Sequence, residues 1–426
     1  HPDPISREKI LDISLQKKID EVLDDLQKSN AINGAQVCVI KDNQVLAHTL
    51  CGNLGALKKH ILVRSDSVFP GFSVTKATAA TLANKMVEDG LMNLDEPICE
   101  RIWKEFCPSI NPPAELLEYM TVDDNITERW VWKRSITLRH ILTHTSGLWF
   151  ALPAKLTLKT YAKVETCCKG FEYNAGAPED TLLPISKPGS ECTYQYLSFG
   201  WLVAGCVIGA YEAHHGKYKT YKDIYDEVLG PLHSSELKSA GFKPFGECGH
   251  HDMAYVETDA DITRLMQMRR EAEAMGEMLE DMTDDEDIEE SPALKTRKIL
   301  FEGIKGREFV IDPRILNSGD AVDANVPAAG GRFSAKGIAM FYHELANGKI
   351  LSLNTLSEVT KVSSIEAALQ GLQGQTSITN NDVQGQRTSQ FGLGYQIISI
   401  EDAKDNHAFG HAGVGGSIGF HQVSSN

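Results

Sequence analysis

The chain has 426 residues, of which 42% are hydrophobic, so it can bury a large core, and its length predicts two or three domains. It contains no run of 18 or more apolar residues, the length that a membrane-spanning helix needs, so we expect no membrane span. The formal net charge is −16 and no stretch carries a basic excess, which argues against nucleic acid as a partner.

The negative charge is concentrated in one stretch. Residues 271–290 hold eleven acidic residues and no Lys or Arg. A segment of this composition buries little apolar surface, so we expect a solvated, disordered acidic insert at about 263–294. A specific partner site within the insert is the alternative.

The nine cysteines are an odd number at irregular spacings, and no C-x-x-C is present. This pattern favours an intracellular reducing compartment with mostly buried thiols, although it does not fix the localisation. Cys248, His250 and His251 could ligate a metal, but an isolated cluster of this kind is more often incidental. We therefore expect neither a metal nor an organic cofactor. The first residue is His1, so a removed targeting segment is left open.

The chain opens with a predicted helix followed by two strands. Residues 6–28 place apolar side chains at helical spacing, with charges between them. Residues 35–40 and 45–50 are rich in β-formers, and the polar residues 41–44 predict a hairpin turn between them. An Ala-rich helix is predicted over 73–89, and Gly90 is a plausible stop signal.

The middle of the chain is predicted to be mainly helical, and strands return at its end. Helices are expected at 135–147, 196–211 and 334–347, and strands at 391–399 and 407–422. Because strands occur at both ends, we expect one antiparallel sheet built from both of them. The predicted sheet domain comprises residues 1–62 and 345–426, and a mainly helical domain, 63–344, is inserted between them.

Four Ser-x-x-Lys patterns occur, beginning at Ser6, Ser14, Ser73 and Ser235. A serine at a helix start with a lysine three residues later places both side chains on one helix face, where the amine can take the hydroxyl proton. Only Ser73 opens a long helix of small and apolar residues, as a buried base requires. We therefore predict Ser73 as the nucleophile and Lys76 as its base. The alternative is an N-cap serine with a surface lysine.

Several stretches of the sequence resemble the serine β-lactamase and penicillin-binding-protein superfamily, specifically its class C β-lactamase, carboxylesterase and LACTB-like branch. They occur in family order between about residues 34 and 420. They are Ser73-Val-Thr-Lys76 with Gly90-Leu-Met-Asn-Leu-Asp95, the segment 136–148, Pro188-Gly189 with the segment 196–205, Gly330-Gly331 with Ser334, Phe391-Gly-Leu-Gly394, and the segment 410–417.

The resemblance implies a role for one tyrosine. Tyr196 matches the tyrosine of the family's Y-x-N motif, a general base or proton relay, and no other tyrosine of the chain has Ser or Asn two places on. A tyrosine beside a lysine cation would also lose its proton more easily. Ser198 replaces the commoner Asn and keeps only one hydroxyl. The alternative for Tyr196 is a buried ring that packs against a helix start.

The resemblance also implies a strand that lines the site. His411-Ala-Gly413 falls at the family's K-T-G motif, where glycine would let the substrate backbone approach closely. Val414 would supply an oxyanion-hole N–H beside that of Ser73. His411 in place of Lys is largely neutral near pH 7, which weakens the cation that attracts a β-lactam carboxylate. The alternative for His411 is a solvent-facing strand residue.

The implied fold is α/β and β-lactamase/transpeptidase-like: an antiparallel sheet flanked by helices, with an inserted mainly helical domain and the site in the cleft between them. The implied function is a serine hydrolase that forms an acyl-enzyme with a small-molecule ester, amide or peptide. Ester is preferred because the cation site is weakened. The resemblance also implies a C-terminal strand and helix beyond Asn426, so we expect a fragment or a domain of a longer polypeptide. The oligomeric state is left open.

Three alternatives remain. A catalytically weak or inactive binding or scaffolding protein could keep this fold. An α/β-hydrolase is disfavoured because its G-x-S-x-G elbow needs glycine at position 75, which is Thr75. Filament formation, as in LACTB-like proteins, has only analogy behind it.

Overall fold

The computed structural model describes residues 12–55, 58–119, 125–149, 151–245, 253–254, 307–317, 326–363, 390–399 and 407–423. The acidic insert, the Cys248–His251 cluster and the Ser6–Lys9 pair fall outside these ranges. Within these ranges, no helix is both long enough and apolar enough to cross a membrane.

Thirteen α-helices lie in the described part of the chain. They are α1 Ile13–Lys28, α2 Thr75–Glu88, α3 Ile98–Arg101, α4 Ala114–Tyr119, α5 Ile126–Arg134, α6 Leu138–Leu142, α7 Leu158–Tyr161, α8 Val164–Lys169, α9 Ser198–His215, α10 Tyr221–Val228, α11 Ser235–Ser239, α12 Ala335–Ala346 and α13 Leu353–Val359.

The described strands form three antiparallel sheets. The strands are β1 Gly34–Lys41, β2 Gln44–Gly52, β3 Phe69–Pro70, β4 Phe242–Lys243, β5 Arg332–Phe333, β6 Gln390–Phe391, β7 Gln396–Ser399, β8 His407–Ala412 and β9 Ile418–Val423. Strands β1 and β2 form a hairpin, β3-β5-β4 form a small sheet, and β6-β7-β8-β9 form a four-stranded sheet.

The predicted hairpin turn between β1 and β2 is confirmed. Lys41 pairs with Gln44, and the two central residues, Asp42 and Asn43, have φ values of 51° and 59°. A two-residue turn with both φ angles positive matches the right-handed twist of the flanking strands, and Asp and Asn tolerate this conformation.

Helix α2 lies at the centre of the largest hydrophobic core and is buried on almost every side. Its alanines let α9 pack closely along it. Helix α9 is likewise apolar all round, and glycines allow backbone to approach it closely. A Cβ at Gly209 would lie 1.8 Å from the Ile102 carbonyl oxygen, and one at Gly200 would lie 2.5 Å from the Ala328 nitrogen. The second contact brings the segment before β5 against the start of α9.

A strand from the first part of the described chain and a strand from its last part pack against the same helix. Helix α12 packs against β1 and also against β9. The hairpin and the four-stranded sheet nevertheless share no ladder among the strands that the structure describes. The expected single sheet is therefore observed there as two sheets that bury their apolar faces against α12. The division into domains at residues 62 and 345 stays a prediction.

Candidate active site

Ser73 lies in a 3₁₀ turn, Phe72–Val74, that joins β3 to α2, and its side chain is only 5% exposed. The turn is held by the Gly71 N–H, which donates to the Gly331 carbonyl at 2.9 Å. Phe72 has a φ of 44°, in the left-handed region that a phenylalanine rarely adopts. Backbone of this kind costs energy and persists only where the surrounding structure imposes it.

Lys76 is fully buried, and its amine forms a hydrogen bond with the Ser73 hydroxyl. Its Nζ lies 3.1 Å from Ser73 Oγ and 3.3 Å from the Ala328 carbonyl oxygen. Burial disfavours the ammonium and lowers the pKa of Lys76 well below its usual value. The buried setting therefore favours the neutral amine, whose lone pair can accept a proton.

The other described Ser-x-x-Lys pairs have no such setting. Ser14 and Lys17 are exposed on α1, and Ser235 and Lys238 are exposed on α11. The structure thus separates one buried pair from two surface coincidences. Among the described residues, no group of three or more His, Cys, Asp or Glu is placed to hold a metal ion.

The phenol that bonds to Ser73 belongs to Tyr194, a residue that the sequence analysis did not name. The Tyr194 hydroxyl donates to Ser73 Oγ at 2.8 Å, and its ring centre is 4.8 Å from Lys76 Nζ. The Tyr196 ring centre lies 5.8 Å from the same nitrogen. Both rings therefore lie near the lysine, and it is Tyr194 whose hydroxyl is bonded to the serine.

The expectation that a lysine cation would ease proton loss from tyrosine is wrong. Burial raises the pKa of Tyr196 to about 12 and raises that of Tyr194 well above its usual value. The cause is burial, which desolvates the phenolate form of both tyrosines. Both phenols therefore stay protonated near neutral pH, and Tyr194 acts as a donor toward Ser73.

Ser198 has a structural contact. Its Oγ donates to the Trp149 carbonyl oxygen at 3.1 Å and is fully buried at the first residue of α9. The hydroxyl thereby ties the start of α9 to the end of the segment 143–149. Its predicted role toward substrate stays a prediction.

His411 lies on β8 and is 1% exposed, so the solvent-facing alternative is wrong. Its Nδ1 lies 2.6 Å from the Ala412 carbonyl oxygen. A carbonyl only accepts, so Nδ1 carries the proton and Nε2 carries a lone pair. Burial, with a smaller effect of Lys76, lowers the pKa of His411 to about 3, so the ring is neutral at pH 7. Its ring centre lies 6.0 Å from that of Tyr194.

The turn after β8 packs directly on the loop that carries Ser73. A Cβ at Gly413 would lie 2.4 Å from the Gly71 carbonyl oxygen, and Ser417 Oγ donates to the Pro70 carbonyl at 2.9 Å. Glycine is thus required at position 413 by the protein's own backbone. Val414 opens the 3₁₀ turn Val414–Gly416 at this point.

The fold of the chain is similar to that of two solved structures. A TM-score of 0.67 relates the chain to the crystal structure of a family VIII carboxylesterase, with 17% identity over 97% of this chain and 89% of the other. A penicillin-binding protein homologue from Caulobacter crescentus gives a TM-score of 0.61 and 16% identity over 96% and 89% of the two chains. The protein therefore has the β-lactamase/transpeptidase-like fold.

The family follows from the sequence. The model of the Beta-lactamase family matches residues 19–423, nearly the whole chain, and the chain belongs to that family. The esterase EstB from Burkholderia gladioli is 29% identical over 139 residues, a stretch that covers 33% of this chain and 30% of the esterase. Less than a third of that relative's length is thus matched. Together the family and this relative support a function of the serine hydrolase type.

Proposed function

We propose that this protein is a serine hydrolase that forms an acyl-enzyme on Ser73 with a small ester substrate. The observation that carries the proposal is the meeting of three side chains from distant parts of the chain. Ser73 Oγ forms hydrogen bonds with the Lys76 amine at 3.1 Å and with the Tyr194 phenol at 2.8 Å; Ser73 and Lys76 are buried, and Tyr194 is half-buried. A hydroxyl between a phenol and an amine whose pKa is lowered by burial is equipped for nucleophilic attack.

In the first step Ser73 Oγ attacks the ester carbonyl, and its proton passes to the Lys76 lone pair. The carbonyl C–O bond to the leaving group then breaks, and the departing oxygen takes a proton from the Tyr194 hydroxyl. The Lys76 ammonium returns a proton to Tyr194, so the site ends neutral with an acyl group on Ser73. Water then attacks the acyl carbonyl and passes a proton through Tyr194 to Lys76. The bond between the acyl carbon and Ser73 Oγ breaks, and Ser73 Oγ takes the proton from Lys76 as the acid product leaves.

The negative charge that develops on the carbonyl oxygen needs backbone donors. Ser73 lies in the 3₁₀ turn that leads into α2, where the helix dipole favours an anion, and we propose its N–H as the first donor. We propose the Val414 N–H as the second donor. The contact of Gly413 with Gly71 supports this, because it packs the turn against the nucleophile loop.

An ester fits the electrostatics of the cluster better than an anionic substrate. Burial lowers the pKa of both Lys76 and His411 and thereby disfavours a positive charge on either side chain. A substrate carboxylate buried beside them would lack the cation that its desolvation demands. His411 Nε2 instead offers a hydrogen-bond acceptor. We therefore place a neutral ester ahead of a β-lactam or a peptide carboxylate.

The test compares Ser73→Ala with Ser235→Ala, a matched change in an exposed Ser-x-x-Lys pair. A fluorophosphonate probe should label the wild type and Ser235→Ala but not Ser73→Ala. Hydrolysis of p-nitrophenyl butyrate should follow the same order, with an acyl adduct on intact protein by mass spectrometry. Equal labelling of both variants would refute Ser73 as the nucleophile. Binding of the ester without turnover or adduct would instead indicate a non-catalytic binding protein.

A further inference from the structure

His144 lies directly against Tyr194 on strained backbone. It is 2% exposed and follows α6 with a φ of 59°. Its ring centre is 4.9 Å from that of Tyr194. A histidine in the left-handed region is uncommon, and such a conformation is kept where surrounding contacts determine it.

The contacts that determine it hold the backbone on both sides of Tyr194. The Thr193 N–H donates to the His144 carbonyl at 2.9 Å, and the Gln195 N–H donates to His144 Nδ1 at 3.1 Å. The N–H groups of the residues before and after the tyrosine therefore both donate to His144. Together these bonds fix the direction in which the Tyr194 side chain leaves the backbone.

Aromatic packing fixes the rings as well. The His144 ring lies 4.5 Å from Phe391 and 5.0 Å from Phe199, and the Tyr194 ring is stacked on Phe391 at 6.1 Å. Because Nδ1 accepts from Gln195, the neutral ring carries its proton on Nε2. Burial and the nearby Lys76 and His411 lower the pKa of His144, so Nδ1 keeps its lone pair at neutral pH.

We propose that His144 is a positioning residue that holds the Tyr194 hydroxyl on Ser73 through the Gln195 N–H and the stacked rings. The inference rests on the proposed function, because it assumes that Tyr194 takes part in the reaction. His144 itself does not touch the reacting atoms. A shift of the phenol by about 1 Å would be enough to slow acylation by about 10²-fold.

Two substitutions at His144 test the role of the Nδ1 acceptor and the role of the aromatic ring independently. His144→Asn keeps an acceptor atom at the same number of bonds from the backbone and tolerates the left-handed φ, but it loses the ring. His144→Phe keeps the ring and leaves the buried Gln195 N–H unsatisfied. We expect His144→Phe to lower kcat for p-nitrophenyl butyrate about 30-fold with KM nearly unchanged, and His144→Asn to lower it only about threefold.

The decisive experiment is a double-mutant cycle with Tyr194→Phe, in folded variants checked by thermal unfolding. If His144 acts through the tyrosine, His144→Phe costs little further activity once the phenol is gone. An equal loss in both backgrounds would overturn the inference and leave His144 as a general stability residue. Full activity in Ser73→Ala or Tyr194→Phe would instead overturn the proposed function, so the two failures can be told apart.

Discussion

Two fully buried lysines lie in different parts of the helical region, and their surroundings differ. Lys76 on α2 contacts a serine hydroxyl and a carbonyl oxygen, and burial alone accounts for its lowered pKa. Lys133 on α5 donates to the Phe171 carbonyl at 2.8 Å and lies 4.7 Å from the ring centre of Phe106. Burial lowers the pKa of Lys133 to about 8, and the nearby Cys107 and Glu172 counteract part of that effect.

The comparison shows that burial of an amine does not make a catalytic base. Lys133 keeps most of its charge at pH 7 and uses it to satisfy a buried carbonyl. Burial lowers the pKa of Lys76 without an opposing charge, and this amine shares its pocket with a hydroxyl and a phenol. What the Lys76 region adds is therefore a nucleophile within 3.1 Å and a second proton donor beside it.

The largest expected effect tests this contrast directly. Lys76→Met should lower kcat/KM for p-nitrophenyl butyrate about 10³-fold, because the proton of Ser73 then has no acceptor. Lys133→Met is the matched control and should stay within about threefold of the wild type, provided that it remains folded. A comparable loss in both variants would show that Lys76 acts only through stability.

The second prediction concerns the Tyr194 phenol, which lies beside Lys76. Tyr194→Phe removes the hydroxyl that bonds to Ser73 and should lower kcat about 10²-fold. Tyr196→Phe removes the hydroxyl of the tyrosine that the sequence motif selected and should lower kcat less than fivefold. Steady-state kinetics of both variants decide the assignment, and the reverse order would restore Tyr196 as the proton relay.

The third prediction concerns the turn that packs on the nucleophile loop. Gly413→Ala places a Cβ within 2.4 Å of the Gly71 carbonyl oxygen, so backbone must shift beside Ser73. Because the φ of Gly413 is −121°, alanine adds crowding without left-handed strain. We expect kcat to fall about tenfold. Gly176→Ala, whose Cβ would meet nothing closer than 3.4 Å, is the control and should leave kcat unchanged.

Local signals predicted much of the fold. The hairpin turn at Asp42-Asn43 and helices α2 and α9 follow from short-range patterns of polarity, small residues and turn formers. The pair Ser73 and Lys76 was also found locally, because three residues of helix determine their distance. The superfamily and its fold followed from the ordered motifs, and the match to residues 19–423 confirms them.

The choice between two tyrosines could not be made in the same way. Tyr194 and Tyr196 are two residues apart and both rings lie near Lys76, and the sequence motif selected the tyrosine with a serine two places on. The phenol that reaches Ser73 is set by the bonds between Thr193, Gln195 and His144, residues about 50 positions apart. Contacts of that range are a property of the packed structure.

The smallest expected effect is the pH dependence of stability. A lysine whose pKa is lowered in the folded state binds its proton more strongly when unfolded, so stability rises with pH between the folded pKa and the unfolded value of 10.5. For Lys133 this window begins at about 8. The window for Lys76 likewise lies below 10.5, and no nearby charge opposes the lowering of its pKa by burial.

Lys76→Met and Lys133→Met should therefore change the thermal stability of the protein in different directions and over different pH ranges. At pH 7.5, Lys76→Met should raise Tm by roughly 1–3 °C and should flatten the rise in stability between pH 7 and pH 10. Lys133→Met loses a hydrogen bond to the Phe171 carbonyl and should lower Tm, and it changes the pH dependence only above about 8. Thermal unfolding from pH 6.5 to 10 measures both. If Lys76→Met leaves the slope unchanged, the amine is charged in the folded protein, and it then cannot accept the proton of Ser73.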